Sequence, residues 1–191
     1  MPERNPLYPT KTQIALQLLR DFREAHGDIK VKSVLADALY GEDAFMSAAS
    51  QLFDHTQVIS QLRENQTIEY KGKKRPLKTY FNDINKGVEV ILRVRGGKEV
   101  KATVSSARLK VTAHGKKRFV VALKYDGESD YRYLVATDRR KRAMDITQTY
   151  RLRWLVEIDQ PYCLHKRVYK KLMHFITGLI YPDTLSHALF A

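Results

Sequence analysis

The stretch between residues 66 and 137 constrains this chain most. TIEYKG, VEVILRVRGG, KEVKATVSSARLKVTAHG, KRFVVALKYDG and YRYLVAT follow one another there, split by Gly and Asp punctuation. Runs of this kind, rich in β-branched and aromatic residues, predict strands joined as an antiparallel meander. RGGK at 95–98 and AHGK at 113–116 are hairpin signals. No fixed-period repeat or low-complexity segment interrupts the pattern.

Upstream the texture differs. TQIALQLLRDFREAHG, residues 12–27, predicts a helix with Ile14, Leu18, Phe22 and Ala25 at helical spacing, Thr12 as cap and Gly27 as stop. IKVKSVLAD then reads as a strand that ends on Asp37. A strand-end carboxylate is a common place for a metal ligand or catalytic acid, and equally for an ordinary turn residue. GEDAFMSAASQLF at 41–53 is a second helix with Phe45, Ala48, Ala49 and Leu52 on one face, and QVISQLREN at 57–65 a partly buried strand. Helix, strand, helix, strand predicts an α/β sheet with parallel neighbours. The expected organisation is an α/β body over 1–65, an inserted basic β-rich module over 66–138, a core helix over 139–160 and a divergent tail over 161–191.

The formal charge of +13 makes an anionic partner the leading expectation, nucleic acid ahead of a membrane surface. Between Ser60 and Val120 stand sixteen Lys/Arg against five Asp/Glu, so most of the excess falls in the β module. Tyr70, Tyr80, Phe81 and Phe119 lie among these charges, as stacking platforms for bases or as sheet core. Lysines on the wet face of a sheet also guard against aggregation, so a basic structural protein is a third reading. Cys163 is the single cysteine, which excludes a disulfide framework and suits a reducing cytosol. MPERNPLYPT lacks the apolar core of a signal peptide, and FITGLI at 175–180 is too short to cross a bilayer.

MDITQTYRLRWLVEI at 144–158 predicts a further helix with Asp145 as N-cap. At about 100° per residue Tyr150, Arg153 and Glu157 share one side and Leu152, Leu155 and Val156 the other. The expectation is an apolar face on the sheet and a Tyr, Arg, Glu line facing away from it. A solvated face with a local ion pair is the alternative, although Arg before Glu at i,i+4 is the weaker order.

VLADALYG, QVISQLRENQ and YRLRWLVE together resemble bacterial insertion-sequence transposases with a DDE, ribonuclease-H-like catalytic domain, specifically the insertion-sequence-four group. That group carries Tyr, two residues, Arg, three residues, Glu, six residues, Lys; Tyr150, Arg153 and Glu157 match the first three terms. The resemblance runs from about residue 7 to 158 and implies a partial ribonuclease-H-like core with a β-rich insertion. It implies that Asp37 and Glu157 are the second and third acids, ligands to Mg²⁺ or Mn²⁺ in a two-metal site that cleaves and transfers DNA strands. It implies that Tyr150 and Arg153 contact DNA phosphate, and that the partners are terminal inverted repeats and target DNA, compatible with a homodimer on DNA in a bacterial, nucleoid-associated cytoplasmic setting. The first acid belongs on a strand ahead of the opening helix, and neither Asp21 nor Asp28 stands in for it. The closing Lys is replaced by Leu164, with Pro161 stopping the helix before it. The expectation is therefore a transposase fragment inactive alone. The alternative is a non-catalytic DNA-binding protein that acts through its β module. The tail 164–180 has its own amphipathic pattern, and His165, His174 and His187 are scattered singly with no metal role assigned.

Overall fold

Thr10 opens the first helix. In a computed structural model, which describes residues 8–93, 99–138 and 140–153, its hydroxyl accepts the Gln13 amide while the Gln13 side chain accepts the Thr10 amide. This capping box satisfies two otherwise orphaned donors and starts α1, Lys11–Ala25. Ala15 and Leu19 are buried, with Leu16 and Phe22 packed beside them, so the buried stripe is rotated from the predicted one. β1, Ser33–Leu35, is shorter than the predicted strand. α2, Asp43–Leu52, buries Phe45, Met46 and Ala49 and returns the chain to β2, Gln57–Leu62, which pairs parallel to β1. β2 is almost wholly buried rather than partly so. The Arg23 guanidinium ties α1 to the end of α2 by donating to the Leu52 carbonyl and pairing with Asp54.

The predicted meander follows as β3 (Thr67–Tyr70), β4 (Lys73–Pro76), β5 (Val88–Arg93), β6 (Glu99–Val111), β7 (Lys116–Tyr125) and β8 (Arg132–Ala136). Between β4 and β5 lies a helical turn with no prior signal, α3 at Leu77–Thr79 running into a π-helical turn at Tyr80–Ile84. α4, Ala143–Arg151, follows β8. Sheet order is β1-β2-β8-β7-β6-β3-β4, with β5 beside β6 and every pair but β1–β2 antiparallel. The β-rich segment thus extends the sheet of the α/β body, because β8 pairs directly with β2. At the predicted 113–116 hairpin Val111 opposes Lys116 around Gly115, whose φ of +64° suits a residue without Cβ. Arg93 opposes Glu99 across the other predicted hairpin, whose turn lies outside the described residues.

Strand alternation divides the apolar residues between two cores. One face carries Val34, Val58, Leu62, Ile68, Leu109, Val120 and Val135 beneath α1, α2 and the π-helical turn. The other carries Leu35, Ile59, Phe119, Val121, Leu134 and Ala136 beneath Ile146 and Tyr150 of α4. Tyr80, Phe81 and Phe119 are buried, and Tyr70 packs edge-on against Tyr80, so these aromatics are core rather than stacking platforms. The molecule is mixed α/β with helices on both faces of one sheet.

Candidate functional site

β1 ends where its last backbone pairing to β2 is made, the Ala36 amide donating to the Ile59 carbonyl at 2.9 Å. Asp37 comes next. Its φ of −76° and ψ of 171° are extended, and its carboxylate caps the 3₁₀ turn Ala38–Tyr40 by accepting the Ala38 amide at 2.6 Å. The side chain is exposed while its own carbonyl accepts the buried Ser60 hydroxyl at 2.8 Å, so the backbone is anchored and the acid faces out. Burial first, and then the Asp37 charge, push the neighbouring Tyr40 phenol up to about 12. Gly41 closes the turn against β2, where a Cβ would stand 2.5 Å from the Gln61 carbonyl oxygen. The close approach of two backbones therefore selects Gly41.

α4 lies across the other face and reaches the same end of β1. Tyr150 is 5% exposed, and its hydroxyl donates to the Ala36 carbonyl at 3.5 Å, immediately before Asp37. Arg153 sits with its guanidinium carbon 5.6 Å from the Tyr150 ring centroid. This corrects the predicted orientation, since Ile146, Thr147 and Tyr150 form the sheet-facing side and Tyr150 does not face away. The phenol ring adds apolar area to the core and its polar tip finds a backbone acceptor, a combination that a pattern of apolar letters misses. The cap differs too: Arg142 is the N-cap residue, and Asp145, at the third helical position, accepts from the Arg142 side chain and amide. Glu157, Leu155 and Val156 lie outside the described residues, as do Cys163, Leu164 and the three tail histidines.

Among the described residues no group of three or more His, Cys, Asp or Glu comes together as a metal site. Asp37 presents one exposed carboxylate at the strand end, and one carboxylate does not by itself hold a hard divalent cation.

A polar network absent from the sequence reading braces the turn behind Asp37. His114, buried, donates from Nε2 to the Gly41 carbonyl at 2.8 Å and accepts at Nδ1 from Arg118 Nε at 3.3 Å. These partners fix a neutral imidazole with its proton on Nε2. Arg118, buried in β7, pairs with Asp43 at 2.5 Å and reaches the Ser47 hydroxyl at 3.2 Å; Lys116 adds a 3.0 Å pair to Asp43. Burial alone would raise the Asp43 carboxyl, but hydrogen bonds from Lys116 and Arg118, with their charges, outweigh it and hold the group low. Burial, helped by the Arg118 charge, pushes the His114 imidazole down. The AHGK turn signal located His114; nothing in the linear pattern paired it with an aspartate some seventy residues upstream.

Basic residues also align on the sheet. Lys74, Glu69, Lys110 and Lys117 oppose one another in turn across β4, β3, β6 and β7, all on the face that α4 partly covers. At about 4.8 Å per strand this row spans roughly 14 Å. Glu69 pairs with Lys110 at 2.7 Å, while Lys74, Lys110 and Lys117 are all exposed. Arg108, one step along β6, lies over the Phe119 ring.

Comparison with protein-family models finds no match, and neither does comparison with curated proteins. No helix among the described residues is long and apolar enough to cross a membrane.

Proposed function

We propose that this chain is a DNA-binding protein of the DDE transposase type, with a ribonuclease-H-like sheet in which strand-end Asp37, together with Glu157, supplies acids of the catalytic set. The observation that carries the reading is the 3.5 Å approach of the Tyr150 hydroxyl to the carbonyl preceding Asp37. It sets the end of α4 beside the backbone that leads into Asp37, which supports the approach that the resemblance implies between segments more than a hundred positions apart. On this reading Tyr150 docks the helix, and Arg153 is the phosphate contact, its planar and permanently charged fork matching phosphate oxygens. Asp37, held by its anchored backbone, presents carboxylate oxygen towards the DNA. Mg²⁺ or Mn²⁺, when bound by a full set of acids, would polarise the phosphodiester.

The basic row of Lys74, Lys110 and Lys117 favours a second reading, a non-catalytic protein that binds DNA through the sheet. The test is retention of supercoiled plasmid across a salt series, with Mg²⁺ or Mn²⁺ present. The first reading predicts salt-sensitive retention and weakened binding in Arg153→Ala. Loss confined to Lys74, Lys110 and Lys117 variants supports the second, and no retention at low salt overturns both.

A further inference from the structure

Among the described residues the sheet has three edge strands, and they are treated differently. β1 offers only three residues. β4 reads Lys-Lys-Arg-Pro, with charges and a proline that block further pairing. β5 reads Val-Glu-Val-Ile-Leu-Arg, carries neither Lys nor Pro, and pairs on one side with β6 alone; among the described residues no strand occupies its other side. Val88 is 67% and Ile91 60% exposed, two of the few large apolar side chains left open on the described surface.

Backbone directions follow from the neighbouring strand. The Lys101 carbonyl accepts the Asp126 amide, so Lys101 turns its backbone groups away from β5. Lys101 opposes Ile91, which makes this a non-hydrogen-bonded pair. Ile91 therefore directs its own N–H and C=O to the open edge, and so do Glu89 and Arg93, two residues to either side.

We propose that β5 pairs with β5 of a second copy of this chain, antiparallel about a two-fold axis at Ile91. In that register Ile91 opposes Ile91, and Glu89 of each copy opposes Arg93 of the other. The three pairs fall at hydrogen-bonding positions, so both edges are satisfied along the same stretch. Val90 opposes Leu92 on the other face and continues the apolar side of the sheet. The pairing is isologous, with one strand supplying both halves of the interface and its charges complementary to themselves. Arg93 already meets Glu99 at 3.6 Å within its own hairpin, an exposed contact that leaves the guanidinium reachable. An occupant of this chemistry is favoured over a foreign peptide because the register matches charge with charge twice.

Sedimentation equilibrium of the full chain tests this, with circular dichroism confirming that each variant folds. The wild type should self-associate. Glu89→Arg or Arg93→Glu alone places like charges opposite one another twice and should weaken association about tenfold or more. The double variant, Glu89→Arg with Arg93→Glu, restores opposite pairs and should recover association. A monomeric wild type, single variants that associate like wild type, or a double variant no better than the singles would each overturn the pairing.

Discussion

Replacing Asp43 by Ala isolates the most heavily desolvated charge described in the protein. The Arg118 side chain is 6% exposed and that of Asp43 27%, so removing the acid leaves a guanidinium inside the fold with uncharged partners, the Ser47 hydroxyl and the His114 ring, among the described residues. Breaking a buried pair from one side costs about 3–5 kcal/mol. Partial access of water to Asp43 sets the expectation at the lower end, about 3 kcal/mol. For a chain of this length that lowers Tm by roughly 6–12 °C. Two controls separate this cost from the loss of any surface contact. Lys116→Ala removes a half-exposed partner of the same acid and should cost at most about 1 kcal/mol. Asp43→Ala combined with Arg118→Met removes both charges and should cost less than Asp43→Ala alone. Urea unfolding followed by circular dichroism measures all three. A cost for Asp43→Ala no larger than for Lys116→Ala, or a double variant less stable than Asp43→Ala, would refute the assignment of Arg118 as a buried charge held by one acid.

Other consequences are equally direct. His114 is held neutral in the fold with its pKa below the ordinary 6.5, so the unfolded chain takes up the proton first as pH falls. Stability should therefore decline as pH drops below about 6.5, and His114→Asn should flatten that part of the profile in urea titrations. Gly41→Ala forces a Cβ against the Gln61 carbonyl and should cost about 2 kcal/mol by thermal unfolding. Tyr150→Phe gives up the long hydrogen bond to Ala36 and should cost about 1 kcal/mol, whereas Tyr150→Ala empties a buried ring site and should cost about 3–5 kcal/mol.

Much of the fold is legible from local pattern. The helical spacing over residues 12–27, the β-branched run into Asp37 and the Gly-punctuated strands after residue 66 each point to the element formed. What escapes is whatever long-range contact decides. Thr10 rather than Thr12 caps α1, since the choice depends on where the Gln13 side chain can reach back. The Leu77–Ile84 turn carries no signal of its own, because its burial of Leu77, Tyr80 and Phe81 is set by the sheet beneath it. Tyr150 faces inward because its ring packs into the apolar cluster beneath α4 while its hydroxyl reaches the Ala36 carbonyl. At the candidate site the exposed strand-end acid was visible in sequence, but the Asp43–Arg118–His114 brace needed three dimensions, joining segments far apart in the chain.

The most direct measurement is a Mn²⁺ titration of isotopically labelled protein, following paramagnetic broadening of backbone amides. Convergence of the two acids predicts weak binding that broadens Ala38 and residues 153–157 together, with both effects lost in Asp37→Ala. Broadening at one location without the other, or broadening that survives Asp37→Ala, would contradict a shared site at the end of β1.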